Sequence, residues 1–478
     1  MSTLEEFRPL FHPARIAVVG ASTTSVSGGN RFIRNLKNFG YAGTIIPIHP
    51  KAEEIEGLRA YQSLADVPGQ IDYAYVAVAA ATAPGVVRNS GGKVRFAQVM
   101  SSGFSEIVGG TDLEADLVAA AREVGTRVIG PNCLGTYSPA ARLTFTEKAT
   151  PEPGSIGVVC QSGGLGIDII RRGQNRGLRY SGLVTIGNAS DLGASELIEY
   201  FLEDDKTRTI GLYLESTREG RRLFEVLRRA NARKPVVLLK GGRTSQGQRA
   251  AASHTGALAG SHSGWEALCR QTGTVLTDTL DDFLDALMAT QGMDLRPSAT
   301  SRVVLFGNGG GTSVLGTDAF DRAGFSVGAF ADDTLTKLEA LGLPAGSSVA
   351  NPIDVPAGAL QQDEGRVAEK IISTIAASGA ADAVVIHVNM TVIMGFRHVD
   401  MLGNIIQAVL RVRQEHSPGM HIVLVLRSDG DSETEERKRE YRQRATSNGV
   451  AVFDELAQAA RGLAAIRIVE TYRSGATV

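Results

Sequence analysis

Cysteine is scarce in this chain. Only Cys133, Cys160 and Cys269 occur in 478 residues, odd in number and widely spaced. They form neither a disulfide framework nor the paired spacing of a zinc site, which favours a reducing compartment. Buried, inert thiols are expected at all three. A charge excess is also missing: the formal net charge is −2, so nothing points to nucleic acid or to an anionic membrane surface as partner. No stretch approaches the roughly 18 consecutive apolar residues of a membrane helix. The N-terminal MSTLEEFRPLFHP is acidic and lacks an apolar core, so no signal peptide is expected and the expected location is the cytoplasm. Two nucleotide fingerprints are absent as well. The first glycine turn lacks the G-x-G-x-x-G spacing of an NAD site, and no glycine loop ends in the Lys-Ser or Lys-Thr of a Walker A motif. Histidine clusters with metal-ligand spacing are not recognisable, so no metal site is expected.

What is abundant is glycine, 55 residues, much of it where strands give way to helices. With 43% apolar and 21% charged residues, the composition is that of a globular protein, and the length predicts two to four domains. Short β-branched runs alternate with amphipathic stretches, the pattern of α/β folds with parallel sheets. Three blocks emerge. The first opens on Arg15-Ile-Ala-Val-Val-Gly-Ala-Ser22, followed by a helical stretch from Arg31 to Phe39. Further strands are expected at Thr44 to Ile48, Tyr73 to Val78, Phe96 to Met100 and Thr126 to Ile129. The second begins after the turn-rich Thr150-Pro-Glu-Pro-Gly154, with strands at Ser155 to Cys160, Gly182 to Ile186, Thr209 to Leu214, Val236 to Lys240 and Val275 to Leu276. Helices are expected between them at Ala194 to Leu202 and Leu223 to Ala230. The third follows Leu295-Arg-Pro-Ser298, with strands at Arg302 to Phe306, Ala383 to Val388, His421 to Leu426 and Val450 to Phe453. The charged segment Arg427 to Arg444 reads as a loop running into a solvated helix. All three blocks open on one plan: apolar strand, small-residue turn, helix.

The three turns suit phosphate. The first is Gly20-Ala21-Ser22 with Gly28-Gly29. After the next strand comes His49-Pro50-Lys51, where NAD sites carry an acidic residue for the ribose. A lysine there suits a phosphorylated nucleotide such as coenzyme A, although a packed strand–helix turn explains the glycines equally well. The second is Gln161-Ser162-Gly163-Gly164-Leu165-Gly166, whose backbone N–H groups and helix start favour an anion. The third is Gly307-Asn308-Gly309-Gly310-Gly311-Thr312-Ser313. Adjacent glycines at a helix start are unfavourable unless backbone must approach something, or unless helix and sheet pack tightly there.

One histidine stands out. His254 lies in AAASHTGALAG, Ala250 to Gly260, where small residues leave an imidazole uncrowded. The segment reads as a loop that presents the ring to a large group such as a phosphoryl. A nucleophilic histidine needs a fixed orientation and one unprotonated nitrogen, which a carboxylate on the other nitrogen supplies. Glu215, just past the apolar run Gly211-Leu-Tyr-Leu214, is the candidate, at the carboxyl end of a parallel strand where active sites form. A surface glutamate is the bland alternative. His262 is near but shows no comparable partner, and His387 and His421 fall in or beside apolar runs as core or edge residues.

Taken in order, these segments resemble the α subunit of the ADP-forming (NDP-forming) acyl-CoA synthetases, in the succinyl-CoA synthetase superfamily. The resemblance rests on VVGAS at 18–22, SSGFSE at 101–106, GPNCLG at 130–135, QSGGLG at 161–166, TIGNASD at 185–191, SHTGALAG at 253–260, GNGGGTS at 307–313 and Asn351-Pro352-Ile353-Asp354. It implies a Rossmann-like CoA-binding domain (1–147) followed by two flavodoxin-like, succinyl-CoA synthetase-like ligase domains (148–296 and 297–478). It implies the reversible reaction acyl-CoA + NDP + phosphate to carboxylate + CoA + NTP, through acyl phosphate and phosphohistidine. His254 corresponds to the phosphohistidine and Glu215 to the glutamate that steadies it. Ser162, Gly163 and Gly164 correspond to one phosphate-binding helix start, and Gly309, Gly310, Gly311, Thr312 and Ser313 to a second. Gly20, Ser22, Lys51, Ser102, Asn132 and Cys133 correspond to the CoA site. No segment resembles an ATP-grasp domain. The resemblance therefore implies that ATP or ADP and Mg²⁺ bind a separate β subunit, in an α₂β₂ assembly, with a small carboxylate as the other substrate. Two other functions are considered: a non-catalytic CoA- or acyl-CoA-binding regulator, against which the intact SHTG argues, and an NAD(P)-dependent oxidoreductase, against which the absent glycine spacing argues.

Overall fold

The computed structural model describes residues 2–24, 27–255, 261–360, 362–396, 398–416 and 419–475. The chain forms two compact units, Met1–Gln174 with Arg179–Asp278, and Asn175–Leu178 with Thr279–Val478. Three parallel sheets carry the fold.

In the first unit, β1 (Arg15–Val19), β2 (Thr44–Ile48), β3 (Ile71–Val76), β4 (Val94–Val99) and β5 (Arg127–Ile129) form a sheet of order β2-β1-β3-β4-β5. A short β6 (Thr136–Tyr137) leaves this block and pairs antiparallel with the next sheet. That sheet contains β7 (Ile156–Cys160), β8 (Tyr180–Thr185), β9 (Thr209–Leu214), β10 (Val236–Lys240) and β11 (Val275–Thr277), in the order β11-β10-β9-β7-β8-β6. The second unit holds β12 (Val303–Gly307), β13 (Ile353–Asp354), β14 (Ala383–Asn389), β15 (His421–Arg427) and β16 (Ala451–Phe453), in the order β13-β12-β14-β15-β16. Leaving β6 aside, each sheet runs second, first, third, fourth, fifth. This is the doubly wound order that opens a crevice beside the first strand at the carboxyl edge. The strand residues are Val, Ile and Leu on both faces because helices cover both, and β7, β9, β12 and most of β14 and β15 are buried.

The helices that matter for the site are α1 (Thr3–Phe11), α2 (Gly28–Phe39), α3 (Gly163–Asn175), α4 (Ser245–Thr255), α5 (His262–Thr272), α6 (Leu280–Gly292), α7 (Gly310–Arg322) and α8 (Leu456–Ser474). The N-terminal α1 seals the first unit: Phe11 stacks on Tyr200 at 4.0 Å between ring centroids. In the second unit α6 lies along α8, with Arg461 bonded to Asp282 and Asp285. The charged 427–444 segment forms the expected loop and then a helix, Ser432–Thr446. No helix among the described residues is long and apolar enough to cross a membrane.

Gly20 closes β1 with φ of +96°, and a Cβ there would lie 2.2 Å from the Ala77 carbonyl oxygen. Gly20→Ala is expected to destabilise the first unit by about 2–4 kcal/mol, because left-handed strain and a backbone clash add. Urea unfolding measures it, and a variant within 0.5 kcal/mol of the parent (roughly the scatter for neutral sites) would refute the argument.

Candidate active site

The carboxyl edge of the second sheet gathers polar residues from strands far apart in sequence. β7 ends at Cys160, and Gln161 follows, buried. Its Oε1 accepts the backbone N–H groups of Glu215 at 2.7 Å and Ser216 at 3.1 Å, and its Nε2 donates to Ser216 Oγ at 3.3 Å. One amide therefore ties the end of β9 to the start of α3. Ser162 caps α3, its Oγ accepting from Leu165 N at 3.3 Å. Gly163 is required locally, since a Cβ would meet Leu134 at 2.8 Å; Gly164 is not, and beyond its chain neighbours and its own helix backbone no described atom lies within 4 Å of where its Cβ would be. A first-turn glycine without a packing reason sacrifices up to about 1 kcal/mol of helix propensity. What it leaves is open space over a helix start whose first N–H groups lack intrahelical partners.

Glu215 is buried, 6% exposed, so the surface alternative does not hold. Its Oε1 accepts Tyr213 OH at 2.9 Å. The Tyr213 hydroxyl is pushed far above its ordinary value by burial and by the Glu215 charge, and stays a donor. Lys240, 3% exposed at the end of β10, donates Nζ to the Glu215 carbonyl oxygen at 2.8 Å and to that of Gly241. Burial brings its ammonium down to about 8, against the pull of Glu215.

A cavity of about 310 Å³ opens beside this edge, lined by Asn132 and Cys133 of the first block and by Gln161, Ser162, Gly164 and Asn188 of the second. Asn188 braces it. Its Nδ2 donates to Glu106 Oε2 at 2.7 Å and Glu114 Oε2 at 2.8 Å, while Arg218 Nη2 reaches Glu114 Oε1 at 3.2 Å. Burial alone would raise the Glu106 carboxyl. The bonds from Asn188 and from the Gly103 and Phe104 N–H groups outweigh it and hold the group low. Thus SSGFSE, TIGNASD and the turn after Glu215 meet in one network. Gln161 and Asn188 lie in the QSGGLG and TIGNASD segments without a role of their own there, and Lys240 lies outside all the segments that carry the resemblance; a lone lysine closing an apolar run was the available signal for the last.

The other predicted residues distribute as follows. Gly20 and Ser22 form the turn after β1, with Ser22 N donating to Asn30 Oδ1 at 2.8 Å. Lys51 and Ser102 are exposed. Asn132 takes a positive φ of 59° and its N–H donates to the Ser101 carbonyl oxygen at 3.0 Å. The Cys133 thiol faces the Val99 and Ile129 carbonyls, and burial pushes it up to about 12. All three cysteines are buried.

His254 departs from expectation in its backbone. It stands in the last turn of α4 and not in a loop, because Gln248-Arg249-Ala250-Ala251-Ala252 are good helix formers that extend the helix to Thr255. Its side chain, and residues 256–260 entirely, lie outside the described residues. His262 does have partners: Nε2 is 3.2 Å from Glu266 Oε1 and 3.4 Å from Arg243 Nη2. One helical turn supplies the glutamate, a spacing the sequence reading passed over.

In the second unit, the third glycine turn repeats the first-strand arrangement. Asn308 Oδ1 accepts Asn389 N at 2.8 Å, joining the ends of β12 and β14 as Gln161 joins β7 and β9. Gly309 has φ of 154°, and its N–H donates to Asp354 Oδ1 at 2.9 Å. Gly311, like Gly164, has no described atom near its missing Cβ. Arg427, which ends β15 as Lys240 ends β10, donates Nη1 to Thr312 Oγ1 at 2.6 Å. His387 is buried, with Nε2 2.9 Å from Ser313 Oγ, and burial and the nearby Arg427 bring it down to about 4. His421 pairs with buried Glu470 at 2.8 Å. Both are core residues, as expected.

Comparison with known proteins identifies this fold as that of the CoA-dependent ligases related to succinyl-CoA ligase. Family models agree: a CoA binding domain matches residues 14–139 and a succinyl-CoA ligase like flavodoxin domain matches 153–290. The chain is 34% identical over 365 residues to the α subunit of acetate–CoA ligase (ADP-forming) II of Pyrococcus furiosus, covering 76% of this chain and 79% of that one. It is 35% identical over 349 residues to acetate–CoA ligase (ADP-forming) I of Archaeoglobus fulgidus, of which it spans only 50%. Among solved structures, the Ca. Korarchaeum cryptofilum dinucleotide forming acetyl-coenzyme A synthetase 1, in complex with phosphate and ADP, superposes with a TM-score of 0.82 at 29% identity. The match covers 98% of this chain and 97% of that one. The chain belongs to the family of ADP-forming acyl-CoA ligases.

Gln161→Leu is expected to lower stability by about 2–4 kcal/mol, since it removes the acceptor shared by two buried N–H groups. Denaturant unfolding tests it, and an unchanged midpoint refutes it.

Proposed function

We propose that this chain is the α subunit of an NDP-forming carboxylate–CoA ligase that works with a separate ATP-grasp β subunit, as α₂β₂. The observation that carries the reading is the junction at Gln161, which brings buried Glu215 and the open helix start Ser162–Gly164 to one carboxyl edge beside the 310 Å³ cavity. In the reaction, phosphate attacks the thioester carbonyl of acyl-CoA, releasing CoA and leaving acyl phosphate. A His254 ring nitrogen then attacks phosphorus and releases the carboxylate. The phosphoryl group passes from His254 to NDP held with Mg²⁺ on the β subunit.

Each residue has a part. Glu215 steadies the imidazole, accepting from one ring nitrogen so that the other is free to attack. The α3 start, capped by Ser162 and kept open by Gly164, stabilises phosphoryl charge through N–H groups and the helix dipole. Gly309, Gly310, Gly311, Thr312 and Ser313 serve as a second phosphate station, with Arg427 adding positive charge. The residues also fit CoA. Gly20, Ser22 and exposed Lys51 stand at the carboxyl edge of the first sheet, with Ser102 exposed above β4. Asn132 and Cys133 line the cavity, whose volume suits a small acyl group on the end of a thioester arm. A short-chain carboxylate is therefore the proposed substrate.

The test is to incubate the chain with acyl-CoA and labelled phosphate, with and without the β subunit. An acid-labile, alkali-stable phosphoryl group on this chain is expected, and NTP formation only when β is present. Absence of label under conditions that support CoA binding would overturn the reading.

A further inference from the structure

The segment that carries His254 is an excursion from the second sheet. The chain leaves at Lys240, turns through Gly241 and Gly242 (φ +73°), runs along α4, and returns in α5. Two contacts close the base of this excursion. The Lys240 ammonium lies 5.3 Å from the centroid of the Trp265 ring, in the first turn of α5, and Arg243 Nη2 lies 3.4 Å from His262 Nε2. The same Lys240 ammonium donates to the Glu215 carbonyl oxygen at 2.8 Å, across a register in which Lys240 sits opposite Leu214. A buried lysine is unfavourable, and a methionine would fill the space without desolvating a charge. What the charge adds is attachment to three points at once: Glu215, Gly241 and Trp265.

We propose that Lys240 is a positioning residue that clasps the His254-bearing excursion to the strand end that presents Glu215. This rests on the assignment of His254 and Glu215 as the phosphoryl carrier and its orienting group. Arg427, at the equivalent end of β15, reaches its own glycine-rich helix start, so the fourth strand ends in a working cation in both ligase sheets.

Loss of the proton removes the cation–π attraction to Trp265 and weakens both hydrogen bonds, so the clasp loosens as pH rises through the Lys240 value of about 8. Glu215, just past β9, is the charged group that acts on Lys240, and Trp265 of α5 is the ring against it. The neighbouring titratable groups pair with one another, Tyr213 with Glu215, His262 with Glu266 and Arg243 with Asp278. Tyr213 is pushed well above this range by burial and by Glu215, and Cys269 is pushed up to about 12 by burial. The sign for stability is opposite to that for function. Because the folded value is below the ordinary 10.5, the unfolded chain binds more protons between pH 8 and 10.5, and folding stability from this residue rises with pH across that window.

The experiment compares full-length parent, Lys240→Met, Lys240→Arg and His262→Gln. The rate of phosphoryl-enzyme formation from acyl-CoA and phosphate should fall on the basic side with a midpoint near pH 8 in the parent and in His262→Gln. Lys240→Met should lower it about tenfold or more at neutral pH, with no limb near pH 8 and no loss of melting temperature. Lys240→Arg should retain activity and carry the limb to higher pH. Trp265 is the only tryptophan, so its fluorescence reads the clasp without any turnover. It should titrate near pH 8 in the parent and be flat in Lys240→Met. Parental rates in Lys240→Met, or an unmoved limb in Lys240→Arg, overturn the proposal. If even the parent takes no phosphoryl group, the functional reading fails, and the fluorescence titration alone decides the clasp: a flat parent curve refutes it.

Discussion

On the proposed mechanism, replacing His254 by alanine is expected to abolish the acid-labile phosphoryl group on this chain and to reduce NTP formation by on the order of 10⁴-fold or more, since the proposed covalent carrier is gone. CoA binding should persist, because the first sheet and the GPNCLG turn are untouched. That split is the informative part. A structural histidine in the last turn of α4 would, when removed, lower stability and spare the chemistry. A carrier leaves stability nearly unchanged and removes the chemistry. Rapid-quench labelling with phosphate, followed by calorimetric titration with CoA, separates the two. Label retained on the alanine variant would end the assignment.

Glu215→Gln is the second large effect. The substitution keeps shape and burial, and the Gln oxygen still accepts Tyr213 OH, which now lies 2.9 Å from Oε1. What is lost is the negative charge that, in the proposed mechanism, orients the imidazole and supports the positive charge developing on it as the ring attacks phosphorus. A loss of about 10²- to 10⁴-fold in the rate of phosphoryl-enzyme formation is expected, with KM for acyl-CoA unchanged. Stability should change little. Equal losses in kcat and stability, or a rise in KM alone, would show that Glu215 acts through the fold or through substrate binding.

Much of the fold was legible in the sequence because buried parallel strands announce themselves as Val- and Ile-rich runs. Thr44–Ile48, Thr209–Leu214 and Val236–Lys240 fall where the pattern puts them. The short β6 and β13 did not register, since two residues carry no period. The His254 segment read as a loop from its small residues, yet its alanines extend α4. The glycine turns were visible as candidates, but not which glycines packing demands. Gly20 and Gly163 are demanded by close neighbours, and Gly164 and Gly311 are not.

The sequence by itself determined the three α/β blocks, the glycine-rich helix starts and the family, because strand and helix periods and turn residues are local properties. The tertiary structure alone decided which polar residues meet. β7 lies beside β9 only through the doubly wound strand order, and that order makes Gln161 a partner of Glu215, 54 residues away. The same long-range pairing sets Lys240 beneath Glu215 and brings Asn188 to Glu106 and Glu114. Such contacts follow from how covered sheets pack around a core, and no local pattern of side chains encodes them.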